Sequence, residues 1–149
     1  MSNHTATITW SRHTPDFAYD TYDRNHAWTF GTGGSVTASA AEAFRGDPTK
    51  VNPEEALVAA LSSCHMLTFL AIAARKRLVV DAYEDAAEGW LEKNEAGKLA
   101  VTRVVLRPKV TFAPGTVVDA ATLAQLHEKA HDNCFIAQSV KTDVRVEAG

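Results

Sequence analysis

The stretch that decides the fold reads Asn52-Pro53-Glu54-Glu55-Ala56-Leu57-Val58-Ala59-Ala60-Leu61-Ser62-Ser63-Cys64-His65-Met66-Leu67-Thr68-Phe69. Asn52 is a good N-cap, Pro53 suits the first helical position, and Glu55 stands three residues after the cap. The pattern predicts a helix running to about Leu78. Its apolar residues occupy nearly every face, which predicts a central core helix. Ser62, Ser63, His65 and Thr68 interrupt the most apolar part, Ala56 to Ala74, and Arg75, Lys76 and Arg77 follow it. A buried helix is therefore expected rather than a membrane span.

Upstream, Thr5 to Ser11 alternates as a strand does, and Ala18 to Asp23 and His26 to Phe30 read as two more, with a turn near Arg24-Asn25. Gly31, Gly33 and Gly34 mark a second turn, and Ala40 to Val51 is irregular. Downstream, Val79 to Lys93 and Leu99 to Phe112 read as two long strands, joined by a hairpin loop at Asn94-Glu95-Ala96-Gly97. Asp119 caps a second helix through about His131. Asp132-Asn133 interrupts it, Cys134 opens a short segment, and Lys141 to Glu147 reads as a final strand. This order argues for an α+β fold with helices against antiparallel sheet, in one domain spanning residues 1–149.

With 46% hydrophobic and 22% charged residues, the chain composes as an ordinary globular protein. A formal net charge of -3, with no basic surplus and no polybasic cluster, leaves no electrostatic footprint for nucleic acid or an anionic membrane. The first residues carry no basic stretch leading into an apolar one, so the expected compartment is the cytosol. A disulfide there is transient rather than structural. Two cysteines are too few for a stapled mini-domain or a four-cysteine zinc site.

Cys64 lies mid-helix and Cys134 at a helix break. On position alone, two inert core thiols and a redox pair both remain open. A working Cys64 thiolate calls for a cation beside it. Arg75 and Arg77 lie roughly 16–20 Å along the helix axis and cannot serve. Arg12, Arg24, Arg45 and the Arg103/Arg107 pair remain, of which Arg24 sits at a predicted turn. Glu54 and Glu55 favour the positive helix N-terminus. Glu55 also fits a reciprocal capping box with Asn52, which leaves Glu54 as the better site candidate. Ten residues of helix, about 15 Å, separate Glu54 from Cys64. A functional Glu54 therefore implies a dimer with sites at its interface. His127, His131 and Cys134 offer zinc-like spacing, but no fourth ligand lies near. His65 points about 100° round the helix from Cys64 and reads as a neighbour rather than a base. His26 lies near Arg24. No phosphate loop or Gly-x-Ser-x-Gly elbow is present.

The helix Asn52-Pro53-Glu54-Glu55, continued by Ala59-Ala60-Leu61-Ser62-Ser63-Cys64-His65, resembles the signature of the osmotically inducible protein C and organic hydroperoxide resistance (OsmC/Ohr) superfamily. Cys134-Phe135-Ile136-Ala137-Gln138-Ser139-Val140 resembles its second cysteine motif. The resemblance covers nearly the whole chain. It implies an OsmC-like fold: antiparallel sheets around a long central helix in an intertwined homodimer. It further implies that Cys64 is peroxidatic and Cys134 resolving, with Glu54 and an N-terminal arginine holding the thiolate. Arg24 matches best, Arg12 second. Phe135 departs from the family pattern, where proline often follows the second cysteine.

The implied activity is a thiol peroxidase for organic hydroperoxides without a bound cofactor or metal, reset by a dithiol such as lipoyl groups on carrier proteins. Phe69 and Phe135 are the apolar neighbours expected to favour organic substrates. The alternative is a non-catalytic dimer that binds a small hydrophobic ligand and keeps its cysteines as core.

Overall fold

The computed structural model describes residues 1–148, which fall into two compact units. The first runs from Met1 to Ala56 and the second begins at Leu57. The first holds an antiparallel sheet of β1 (Ala6–Thr9), β2 (His26–Phe30) and β3 (Ser35–Ala38). Strand β3 was not foreseen. The expected strand at Ala18 to Asp23 is instead a turn, because the amides of Thr21 and Tyr22 both return to the Ala18 carbonyl, at 3.0 and 3.1 Å.

Helix α1 spans Pro53–Arg75. Its capping box forms as the sequence predicts. The Glu55 amide donates to Asn52 Oδ1 at 2.9 Å, and the Asn52 amide donates to Glu55 Oε1 at 3.2 Å. The helix stops three residues before the expected Leu78. Arg77 turns left-handed at φ 57°, and the amides of Leu78 and Arg77 fold back onto the carbonyls of Ala73 and Ala74. That paired closure ends a helix and sends Leu78 into the core. By length and composition α1 could cross a membrane. Here it buries Leu61, His65, Phe69 and Ala73.

The two predicted long strands exist as one bent hairpin. Val80–Asp85 (β4) pairs with Pro108–Phe112 (β7), and Glu88–Lys93 (β5) pairs with Leu99–Leu106 (β6), in a register that continues across the bend. At the bend Pro108 has no amide to donate, and the Arg107 amide donates to Asp85 Oδ1 at 2.6 Å instead of to the ladder. Asp85 Oδ2 accepts the Ser62 hydroxyl at 2.5 Å, so the bend is tied to α1. In the loop, Asn94 Oδ1 accepts the amides of Ala96 and Lys98, and Gly97 takes the required positive φ of 75°.

Helix α2 (Ala120–Asn133) leads to β8 (Asp143–Val146), which pairs parallel with β6. The expectation of purely antiparallel sheets is therefore corrected, and β5-β6-β8 is a mixed sheet. The physical reason is the α2 crossover, which brings the chain back along the β6 direction. Two apolar clusters fill the second unit. Leu61 of α1 packs with Val104 and Leu106 of β6, and Phe69 and Ala73 of α1 pack with Leu126 and Ala130 of α2.

Asp119 caps α2 through the Thr122 amide at 2.7 Å. Asp119→Ala should lower stability by about 1 kcal/mol in urea unfolding, with an unchanged denaturant slope.

Candidate functional site: two thiols and a turn of main chain

Cys64 is half-buried in the middle of α1, and Cys134 is the buried C-cap of α2. Both are free, and their thiols lie in hydrogen-bonding reach of one another. The chain after Cys134 coils into a short 3-10 turn at Ala137–Ser139, with the Gln138 amide donating to the Cys134 carbonyl at 3.1 Å. The first amides of such a turn have no partner within it. Here they serve sulfur.

Burial acts on the Cys64 thiol first and pushes its pKa up. The Ile136 amide, the Cys134 thiol, the Phe135 amide and the Thr68 hydroxyl outweigh it, so the net direction is down. The Thr68 hydroxyl also lies 2.9 Å from the Cys64 carbonyl and has one proton to share between that oxygen and the sulfur. Cys134 goes the other way. Burial and then its hydrogen bond with Cys64 raise its pKa, against the Ala137 amide 3.4 Å from its sulfur. The two thiols are thus tuned in opposite directions, Cys64 down and Cys134 up. Among the causes that lower the Cys64 pKa, the main-chain amides and the neighbouring thiol and hydroxyl suffice, with no cation among them.

The cation that the sequence calls for, and the glutamate, lie in the first unit. Arg24 and Glu54 line one cavity of about 400 Å³ with Trp10, Phe17, Tyr22 and Phe44. The Arg24 guanidinium donates to the carbonyls of Tyr19 and Tyr22, both at 2.6 Å, and lies 3.5 Å from the centre of the Tyr22 ring. Among the described residues it makes no ion pair with Glu54. Arg12 donates to the carbonyls of Thr14 and Pro15, at 2.5 and 3.0 Å, which closes its own loop, and it does not line the cavity. α1 carries Glu54 and Cys64 ten positions apart on one unbroken helix. His26 also lines the cavity, and its Nε2 accepts from Trp28 at 2.9 Å.

The three zinc-like residues part company. His127 turns toward α1, where its Nδ1 lies 3.0 Å from Nε2 of His65, while Cys134 faces Cys64. Among the described residues no group of three or more histidine, cysteine or carboxylate side chains is placed to hold a metal. Phe69 is corrected as a substrate neighbour, because it sits on the buried face of α1, fully enclosed against His127 and Tyr83. Phe135 is exposed. The main chain of Phe135 and Ile136 was missed from sequence, since amides carry no residue signature. The one available signal was a cysteine at a helix break followed by a further turn.

Residues 46–149 match the family described as OsmC-like protein. An OsmC-like protein of unknown function from Vibrio cholerae, of solved structure, is 46% identical, with 100% of both chains covered and a TM-score of 0.94. A peroxiredoxin OsmC from Shigella flexneri is 27% identical over 96 residues, 64% of either chain. An organic hydroperoxide resistance protein from Legionella pneumophila shares the fold at 18% identity and a TM-score of 0.75, over 100% of this chain and 98% of its own.

Burial, then His127 and His131, push the His65 pKa down from 6.5 to about 4, against the pull of Asp85. Between those values the unfolded chain takes a proton that the folded chain refuses. The stabilising contribution of a neutral His65 is thus complete above pH 6.5 and is lost as pH falls toward 4. Its size is on the order of 3 kcal/mol. Urea unfolding across this window should show stability falling with pH, and His65→Gln should flatten the fall. A flat wild-type profile would contradict this assignment.

Proposed function

Because the chain belongs to the OsmC-like protein family, we propose that it is a thiol-dependent peroxidase that reduces organic hydroperoxides through Cys64 and Cys134. The observation that carries this reading is a pair of free thiols, Cys64 and Cys134, in hydrogen-bonding reach of one another, with the amides of Ile136 and Phe135 on the Cys64 sulfur. The Cys64 thiolate attacks the distal oxygen of ROOH and the O–O bond breaks. The departing alkoxide takes a proton and leaves as ROH, with Cys64 now a sulfenic acid. The Cys134 sulfur then attacks the Cys64 sulfur, water leaves, and a disulfide forms. An external dithiol reduces the disulfide and is itself oxidised. Lipoyl groups on carrier proteins have the right chemistry. Such a cycle suits a reducing compartment, the cytosol.

The reading includes a homodimer of single-domain chains. Ala60, Ser63, Leu67, Ala71 and Ala74 recur at helical spacing along α1 and are all exposed. An exposed stripe of small and apolar side chains suits a second copy of the same helix. In that arrangement Arg24 and Glu54 of one copy complete the Cys64 site of the other. Glu54 then orients the Arg24 guanidinium, and the aromatic cavity receives the organic group of the substrate. The same cavity supports a second reading, a dimer that binds a small hydrophobic ligand without turnover.

Reduced protein treated with one equivalent of cumene hydroperoxide should lose both thiols and two hydrogens by intact mass. Cys64→Ser should abolish turnover. Cys134→Ser should allow one oxidation and then stop dithiol recycling. Two thiols surviving excess peroxide would remove the peroxidase and leave the ligand-binding reading.

A further inference from the structure

His65 immediately follows Cys64 on α1, and His127 lies seven residues, about two turns, before Cys134 on α2. The two rings stack at 5.3 Å between centroids and 10° between planes, with Nε2 of His65 3.0 Å from Nδ1 of His127. Phe69 stacks on His127 at 4.5 Å. Both histidines are enclosed, at 1% and 4% exposure, and the peroxidase chemistry uses neither. Their outward nitrogens, Nδ1 of His65 and Nε2 of His127, are buried and have no partner among the described residues.

Stability alone does not account for such a pair. Two buried nitrogens without partners carry a desolvation cost that two aliphatic side chains would avoid. What the pair adds is direction. The apolar contact of Phe69 and Ala73 with Leu126 and Ala130 holds α2 on α1 through burial, which is non-directional. A single N–H···N bond has a narrow range of distance and angle, and so fixes both. The last turn of α2 passes that position on, through the Cys134 amide to the His131 carbonyl at 3.3 Å, to the amides that face Cys64.

We propose that the His65–His127 hydrogen bond is the positioning contact that holds Cys134 and the amides of Phe135 and Ile136 on Cys64. It thereby sets both the thiolate character of Cys64 and the disulfide equilibrium of the pair. The inference rests on the redox reading above. The titratable groups bearing on the pair are His131 of α2 and Asp85 of β4. Tyr83 of β4 packs against Phe69, and β7 brings Val110 and Phe112 into this cluster. Two protonated rings have donors and no acceptor, so acid opens the contact.

The test uses the full chain in glutathione redox buffers near neutral pH, with iodoacetamide alkylation rates of Cys64 measured across pH. His65→Leu removes the hydrogen bond and keeps an apolar fill. Folded by circular dichroism, it should shift the thiol–disulfide equilibrium about tenfold toward dithiol and move the alkylation midpoint to higher pH. His65→Gln, whose amide reaches the place of Nε2, should return both to within about threefold of wild type. His127→Leu and His127→Asn repeat the comparison from α2 if His65→Leu does not fold. A folded leucine variant with wild-type equilibrium and midpoint overturns the proposal, as does a glutamine variant no better than leucine. No hydroperoxide enters these measurements. A protein inert to peroxide that still shows the histidine dependence loses the peroxidase and keeps the positioning pair.

Discussion

A helix apolar on nearly every face offers several sides for packing, and the second unit is organised around those that α1 buries. One stretch of its surface meets β6 through Leu61, and another meets α2 through Phe69 and Ala73. The bent hairpin follows from the same packing. A straight pair of strands this long would face one length of helix only. Breaking at Asp85 and Arg107 lets β4 and β7 join one cluster and β6 the other. Asp85 holds the break by accepting from Ser62 of α1 and from the Arg107 amide, so its carboxylate fastens helix to bend at one point.

The coverage of α1 also determines the chemistry. α2 lies on α1 at Phe69, one turn beyond Cys64, and its end delivers Cys134 and a turn of free amides to the sulfur. The electrostatics of the thiol pair then follow from main-chain geometry. Two amides, a thiol and the Thr68 hydroxyl offset burial at Cys64, while burial and the neighbouring sulfur dominate at Cys134. Arginine chemistry is found elsewhere, in an aromatic cavity of the first unit where carbonyls and the Tyr22 ring hold the guanidinium.

Much of this was legible in the chain. Asn52, Pro53 and Glu55 announce the start of α1, Asp119 announces α2, and Asn94 to Gly97 announces the hairpin turn, because each rests on contacts within a few residues. The family likeness was equally legible in Asn52–Glu55 with Ser62-Ser63-Cys64, and the match over residues 46–149 supports it. Ala18 to Asp23 misled, since its strand-like composition was overridden by two amides turning back to Ala18. The end of α1 misled by three residues, because a left-handed Arg77 does what glycine usually does.

By itself the sequence determined the two helices and their caps, the long hairpin and its turn, the α+β class and the pair of cysteines that any chemistry would use. These depend on side-chain periodicity and on caps reaching three or four residues. Only the tertiary structure decided that β8 runs parallel to β6, that His127 turns to His65 rather than to His131 and Cys134, and that amides attend Cys64. Each of these joins groups far apart along the chain, and main-chain donors look the same at every residue. Their roles appear only once packing has chosen which turn of backbone meets which sulfur.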